Sequence, residues 1–242
     1  MRFAVLLTGH PRTFEQTYKS LYDNCIQPNG ADVFLSVWSE DETGKSVDIN
    51  RLQQVYNPIK IDVSSVIDYE VNKDKFVFVN RTFDCFQTNI RAYISKQTNG
   101  IKQIERIRSQ WYRVKRGIDT IAATGKYDAI LRMRFDIGLN SRIDISKISL
   151  QKSGCYIPKL LESVEKDHFV SCGLTTPVMT DHWCYGPWES MLKYGSIYDQ
   201  LLPMYYDENV PISNAEEMFA YFMLTRVGTE HYIDSLNYDL IR

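Results

Sequence analysis

The chain has no apolar run near the ~20 residues that a membrane helix needs. Its longest candidates, Phe3 to Leu7 and Met218 to Leu224, fit a buried strand and a buried helical turn. It has no CxxC pair. The five cysteines, Cys25, Cys85, Cys155, Cys172 and Cys184, are odd in number, so a disulfide framework or a structural zinc site has little to build on. Charge of one sign is lacking too: 28 Lys and Arg against 30 Asp and Glu leave a net charge of −2. That excludes a strongly basic protein coating nucleic acid, and no nucleic-acid partner is expected. The opening residues lack the charged, apolar and small-residue succession of a signal peptide. A reduced, cytoplasmic chain with mostly buried thiols is the expectation.

Several catalytic signatures are also missing. Without GxGxxG there is no dinucleotide fingerprint. Without GxSxG an α/β-hydrolase is disfavoured. The four histidines, His10, His168, His182 and His231, form no HExxH pair. Gly44-Lys45-Ser46 resembles the end of a phosphate loop, but Ser39 stands where the loop's first glycine belongs.

What is present is a globular composition: 44% hydrophobic and 24% charged over 242 residues, enough for a core in one domain. No repeat or linker divides residues 1–242. Aromatics reach 13%, with 16 Tyr. Such clefts often bind flat or sugar-like ligands, although packing accounts for most single tyrosines.

The chain opens as strand, helix, strand. Phe3 to Leu7 is apolar on both faces, as in a central parallel strand. Thr13 and Gln16 form a capping-box pattern ahead of Phe14, Tyr18, Leu21, Tyr22 and Cys25 at helical spacing. Pro28-Asn29-Gly30 ends that helix, and Ala31 to Trp38 is a second strand. A short helix at Arg51 to Tyr56 and a strand at Lys60 to Val66 follow. Phe83 to about Gln97 reads as helix, with a break at Asn99-Gly100. Ile104, Ile107, Trp111, Val114, Ile118 and Ile121 then mark one apolar stripe, with Gly125 as its C-cap. The other face carries Lys102, Arg106, Arg108, Arg113, Lys115 and Arg116, a solvated face or a peripheral contact with an anionic membrane. Strands are expected at Tyr127 to Ile137 and Gly154 to Pro158, and helices from about Pro187 to Leu201 and Asn214 to Thr225. This alternation predicts an α/β fold with a mostly parallel central sheet flanked by helices.

Leu131-Arg132-Met133-Arg134-Phe135-Asp136 is the most informative segment. Alternate residues of a strand share a face, so Arg132, Arg134 and Asp136 point one way. Two guanidiniums and a carboxylate on an inner strand are costly unless paired or bound. Either they form a salt-bridge cluster or they hold an anionic ligand, with a divalent metal on Asp136 as an option. Ligands gather beyond the carboxyl ends of strands in such sheets. Thr8-Gly9-His10-Pro11-Arg12 joins the first strand to a helix: Gly9 permits close backbone approach and Arg12 offers a phosphate fork. Asp181-His182-Trp183-Cys184-Tyr185-Gly186 mixes a carboxylate with aromatic rings, as carbohydrate sites do, or is a packed loop. In Asn214-Ala215-Glu216-Glu217 an acid could serve as general base or simply favour a helix N-terminus.

These pieces together resemble a family of GT-A-type glycosyltransferases associated with bacterial surface-polysaccharide clusters and with large DNA viruses and phages. The matching stretches are Leu7 to Phe14, Ala31 to Trp38, Ser109-Gln110-Trp111-Tyr112, Tyr127 to Asp136, Asp181 to Gly186 and Ala215-Glu216. They come in the family's order and span most of the chain. The resemblance implies a GT-A-like, Rossmann-like fold and a nucleotide-sugar donor lying across the strand ends. It implies transfer to a glycan or lipid-linked acceptor, with Thr8, Gly9, Arg12, Gln110, Arg113, Arg132 and Arg134 against the donor. It places Arg134-Phe135-Asp136 where the family carries its Asp-x-Asp metal motif. Here the chain departs from the pattern, because only Asp136 remains as a metal acid for Mn2+ or Mg2+. An arginine near the diphosphate would supply part of the missing charge. Asp181 or Glu216 would act on the acceptor hydroxyl, and inverting and retaining outcomes both stay open. A nucleotidyltransferase using the same strand ends, and a non-catalytic glycan- or nucleotide-binding protein, are the rival readings.

Overall fold

The computed structural model describes residues 1–41, 43–65, 98–145, 154–158, 181–206, 219, 222–227, 231–233 and 238–241, a few of them by backbone alone. The expected helix at Phe83 to Gln97 and the one opening at Asn214 fall outside these residues for all or most of their length.

The first strand, β1 (Phe3–Gly9), is followed by α1 (Phe14–Leu21), which runs through a π turn (Tyr22–Ile26) to Gln27–Asn29. Gly30 closes it in the left-handed region at φ 56°, which glycine enters without steric cost. The Thr13–Gln16 capping box does not form. Thr13 occupies the cap position, but its side chain makes no cap hydrogen bond, and the Gln16 amide bonds the Thr13 carbonyl instead at 3.0 Å. Strand β2 (Asp32–Trp38) leads to α2 (Ile49–Tyr56). There Asp48 caps by accepting from the Arg51 amide, and Asn57 ends the helix in the left-handed region. Strand β3 (Lys60–Ser64) follows.

The long helix α3 (Thr98–Thr124) carries Asn99 and Gly100 in its first turn; the expected helix before them lies outside the described residues. Ile107, Trp111, Val114, Ile118 and Ile121 are all buried, each stabilising by about 1.5–3 kcal/mol, against roughly 1 kcal/mol for one helical glycine. A second glycine, Gly117, serves the packing: a Cβ there would lie 2.5 Å from Leu6 Cδ1, so its absence lets α3 lie close on β1.

After α3 come β4 (Ala129–Arg134), a turn at Phe135-Asp136, and β5 (Ile137–Leu139). The expected single strand to Ile137 is thus two strands with a bend between them. Strand β6 (Tyr156–Pro158) precedes β7 (Trp183–Pro187), a strand that the sequence does not signal. The helix expected from Pro187 to Leu201 is two helices, α4 (Trp188–Gly195) and α5 (Ile197–Tyr206), parted at Ser196. Two short tail strands, β8 (His231–Ile233) and β9 (Tyr238–Leu240), complete the described elements.

Among the described residues the main sheet has the order β3-β2-β1-β4-β7-β6-β8, and β5 pairs separately with β9. Strands β3, β2, β1 and β4 are mutually parallel. Strand β7 runs antiparallel to both β4 and β6, while β8 is parallel to β6. Helices α1 and α2 cover one face, over Phe3, Val5, Leu7, Leu131 and Met133. Helices α3, α4 and α5 cover the other, over Ala4, Leu6, Phe34 and Ile130. This is a mostly parallel α/β sheet of Rossmann-like kind. The chain moves outward from β1 through β2 to β3, then returns to the other side of β1 as β4. The order therefore reverses between β1 and β4, and a crevice outside the strand ends is expected at that switch point.

Among the described residues no helix is long and apolar enough to cross a membrane. Cys25, Cys155 and Cys184 are buried free thiols; burial alone pushes Cys25 up to about 12. Cys85 and Cys172 lie outside the described residues.

Candidate functional site

Parallel register sets Thr8 of β1 beside Arg134 of β4, and Leu6 beside Arg132. Alternation turns Leu131, Met133 and Phe135 into the α1 side of the core. Arg132 is left on the α3 side, 1% exposed. Its Nε donates to Thr8 Oγ1 at 2.8 Å and its Nη1 to the main-chain carbonyl of Asp181. Both acceptors are neutral. Among the described residues no carboxylate forms an ion pair with this guanidinium.

Arg134 is treated differently. Its Nε donates to Asp136 Oδ1 at 2.9 Å and its Nη2 to Asp136 Oδ2, a two-pronged pair. Its Nη1 lies 3.8 Å from Asp181 Oδ1. Burial opposes the charged form, but Asp136 and Asp181 together outweigh it and hold Arg134 above its ordinary range. The four side-chain charges sum to zero, yet they are unevenly shared. Both carboxylates lean on Arg134, and the hydrogen-bond partners of Arg132 are neutral.

Asp181 reaches this edge because β7 is antiparallel. Met133 pairs with Trp183, and the Arg134 amide donates to the His182 carbonyl at 3.2 Å. The residues just before β7 are thereby delivered to the carboxyl end of β4. From α3, Gln110 Nε2 donates to Asp181 Oδ2. His182 belongs to the singled-out segment Asp181 to Gly186, and one member, Tyr238, was not signalled. His182 Nδ1 is 2.9 Å from Tyr238 OH, and β9 holds Tyr238 there by pairing with β5, while the Ile241 amide donates to the Asp136 carbonyl at 2.8 Å. Burial draws the His182 imidazole below its ordinary range; Asp181 opposes this and Arg134 reinforces it. For Tyr238, a polar, aromatic tail was the one trace in the sequence.

Of the sequence candidates, the structure brings together Thr8, Gln110, Arg132, Arg134, Asp136 and Asp181. Gly9 follows Thr8 at φ 106°, and a Cβ built on it would meet none of the described residues within 4 Å. Among the described residues its backbone therefore borders open space. Arg12 is exposed on the turn before α1. Arg113 is placed elsewhere. Fully buried, it donates to the Val37 carbonyl and to Asp62 Oδ2, both at 2.5 Å, and to Ser64 Oγ at 3.1 Å. Its guanidinium also lies over the rings of Trp38 and Tyr112. Burial pulls it below its ordinary range, partly offset by Asp62. Arg116 shares Asp62, and Lys115 pairs with Asp119 and Asp199, so much of the basic face of α3 is spent on ion pairs. Glu216 lies outside the described residues.

A divalent cation prefers several free oxygen ligands. Asp136 is the lone acid of its motif, and both its oxygens accept from Arg134. Asp181 Oδ2 accepts from Gln110. An incoming Mn2+ or Mg2+ would meet a guanidinium at hydrogen-bond distance from its ligand. Among the described residues no group of three metal-ligating side chains exists. The donor set as arranged does not fit a resident divalent cation.

The arrangement can hold an anion by charge-assisted hydrogen bonds at the switch point. No family model matches this chain, and the search of curated proteins finds no match for it.

Proposed function

We propose that this protein is a glycosyltransferase of GT-A type, moving a sugar from a nucleotide-sugar donor to a hydroxyl of a glycan or lipid-linked acceptor. The observation that carries the reading is Arg132, a buried cation at the β1–β4 switch point whose described partners are a hydroxyl and a carbonyl. A buried charge is costly without a counter-charge, and a diphosphate would supply one. The open border at Gly9 gives the donor a place to approach, with Arg12 on the same turn.

In this reading Thr8 orients Arg132, and Arg132 stabilises charge developing on the departing nucleoside diphosphate. Gln110 holds Asp181, and Asp181 positions the acceptor hydroxyl or receives its proton; Glu216 is the other candidate for that role. Arg113 supports the sheet edge and takes no part in donor binding. No step is assigned to a metal.

The test is a thermal-shift screen of UDP-, GDP-, CMP- and dTDP-sugars, with and without Mn2+, on the parent and Arg132→Met. A ligand that binds only the native state stabilises by about 2.7 kcal/mol at a hundred times its Kd. At least one donor raises the parent's Tm, and that rise is lost in Arg132→Met. Transfer or slow hydrolysis of that donor, followed by released nucleoside diphosphate, checks the chemistry. Release of pyrophosphate, or silence across the panel, overturns the proposal.

A further inference from the structure

We infer that Arg134 is a built-in cation standing where a divalent metal would be: it neutralises Asp136 and Asp181, and removing it uncovers a latent Mn2+ or Mg2+ site made of those two carboxylates. The inference rests on the reading above only for the identity of the anion that uses the site.

Arg134 bridges two acids that come from different parts of the chain. It takes both oxygens of Asp136 and faces Asp181 Oδ1 at 3.8 Å. The planar guanidinium suits such bridging, since its donors form a fixed fork. Arginine also keeps its proton at any ordinary pH. It therefore supplies a permanent positive charge, as a bound metal does, without an exchange step.

The backbone that carries the two carboxylates is held by bonds in which the Arg134 side chain has no part. Thr17 Oγ1 donates to the Phe135 carbonyl at 2.6 Å, and the Ile241 amide donates to that of Asp136. On the other side, the Arg134 main-chain amide donates to the His182 carbonyl, and Gln110 holds one oxygen of Asp181. Truncating the Arg134 side chain leaves the two acids near each other with nothing to separate their charges. Like charges so placed either take up a proton or gather a cation, and two carboxylates with water in the remaining positions suit Mg2+ and Mn2+. With Arg134 present, the same cation would be repelled by a full positive charge beside its ligand. The neighbouring Arg132 remains for the anion, so the site takes a diphosphate without metal.

The test uses the full chain with two probes. The first is Mn2+ alone, followed by the paramagnetic resonance of the free ion. The parent leaves that signal unchanged. Arg134→Gln and Arg134→Ala bind Mn2+ at least about tenfold more tightly, and Arg134→Gln/Asp181→Asn loses the gain. Near-ultraviolet circular dichroism checks that each variant is folded. Mn2+ binding by the parent, or none by a folded Arg134→Gln, overturns the inference. Should neither variant fold, the parent decides through the second probe, inorganic pyrophosphate. Its Tm rise is the same in EDTA and in Mg2+ if the inference holds, and a rise seen only with Mg2+ overturns it. No rise in either condition counts against the glycosyltransferase reading, while the Mn2+ measurement still decides the role of Arg134.

Discussion

Arg113 and Arg132 are both buried guanidiniums near the carboxyl edge of one parallel sheet, and their surroundings differ. Arg113, at the ends of β2 and β3, meets a carboxylate, a carbonyl and a hydroxyl, with two aromatic rings beside it. Arg132, at the ends of β1 and β4, meets a hydroxyl and a carbonyl. The first guanidinium has its counter-charge, although its buried Nε has no hydrogen-bond partner among the described residues. The second leaves positive charge poorly balanced in the place where an α/β sheet opens a crevice. Burial alone therefore does not distinguish the two arginines; the charge of their partners does, and the proposed function assigns binding to Arg132 on that difference.

The contrast can be broken most directly at Asp62. Asp62→Ala strands Arg113 without its counter-ion, and removing one partner of a buried pair costs about 3–5 kcal/mol. Urea unfolding should show a loss of that size. A loss below about 1 kcal/mol would mean that the β2–β3 cluster holds little.

Arg132→Met should behave in the opposite way. Stability stays within about 2 kcal/mol of the parent, because a buried cation with neutral partners is exchanged for a similar volume of apolar atoms. Affinity for the bound nucleotide-sugar falls at least about tenfold, the scale of a lost charge-assisted hydrogen bond. Calorimetric titration beside a melting curve separates the two effects; a stable variant with unchanged affinity would remove Arg132 from the site.

A smaller effect distinguishes His182. Its imidazole is depressed below its ordinary range chiefly by burial, so the unfolded chain takes up the proton more readily than the native one. The stability tied to this residue is present above the unfolded value, near 6.5, and is lost as pH falls through the lower native value. Melting curves from pH 7.5 down to pH 5, as about the useful range around that value, should show a steeper fall for the parent than for His182→Asn. Parallel curves would show that His182 titrates alike in both states.

The smallest change is expected at the opposite, amino end of the sheet. There Arg2 donates to Tyr127 OH at 2.9 Å and lies 3.4 Å from Asp32. The pair is half exposed on the arginine side, with side-chain exposures of 51% and 32%, and such bridges contribute about 0.2–1 kcal/mol. Arg2→Ala should shift the unfolding midpoint by that little. A loss matching Asp62→Ala would erase the distinction between exposed and buried clusters.

Much of the fold was legible because its signals are local. The doubly apolar run at Phe3 to Leu7 gave a central strand. Pro28-Asn29-Gly30 and Asn57-Pro58 stopped two helices, and the Ile107-to-Ile121 stripe gave α3. Strand β7 was illegible, since Trp183-Cys184-Tyr185 is buried on both faces and has no period to read. The tail strands are three residues each and exist through pairing with β5 and β6. At the site, alternation correctly set Arg132 apart from Met133. The sequence also offered a salt-bridge cluster there, which Arg134 and Asp136 form; it could not say that Arg132 would stay out of that pair, or that Arg113 would reach the ends of β2 and β3.

The sequence by itself determined which residues are apolar, at what spacing, and hence which helices and parallel strands form, because those choices follow from burying one face of each element. It also determined that two arginines and an aspartate share a strand end. Only the tertiary structure decided which of these charges meets which. Partners such as Asp62, Asp181 and Tyr238 arrive from distant parts of the chain, and strand order and direction, not neighbouring residues, set where they land.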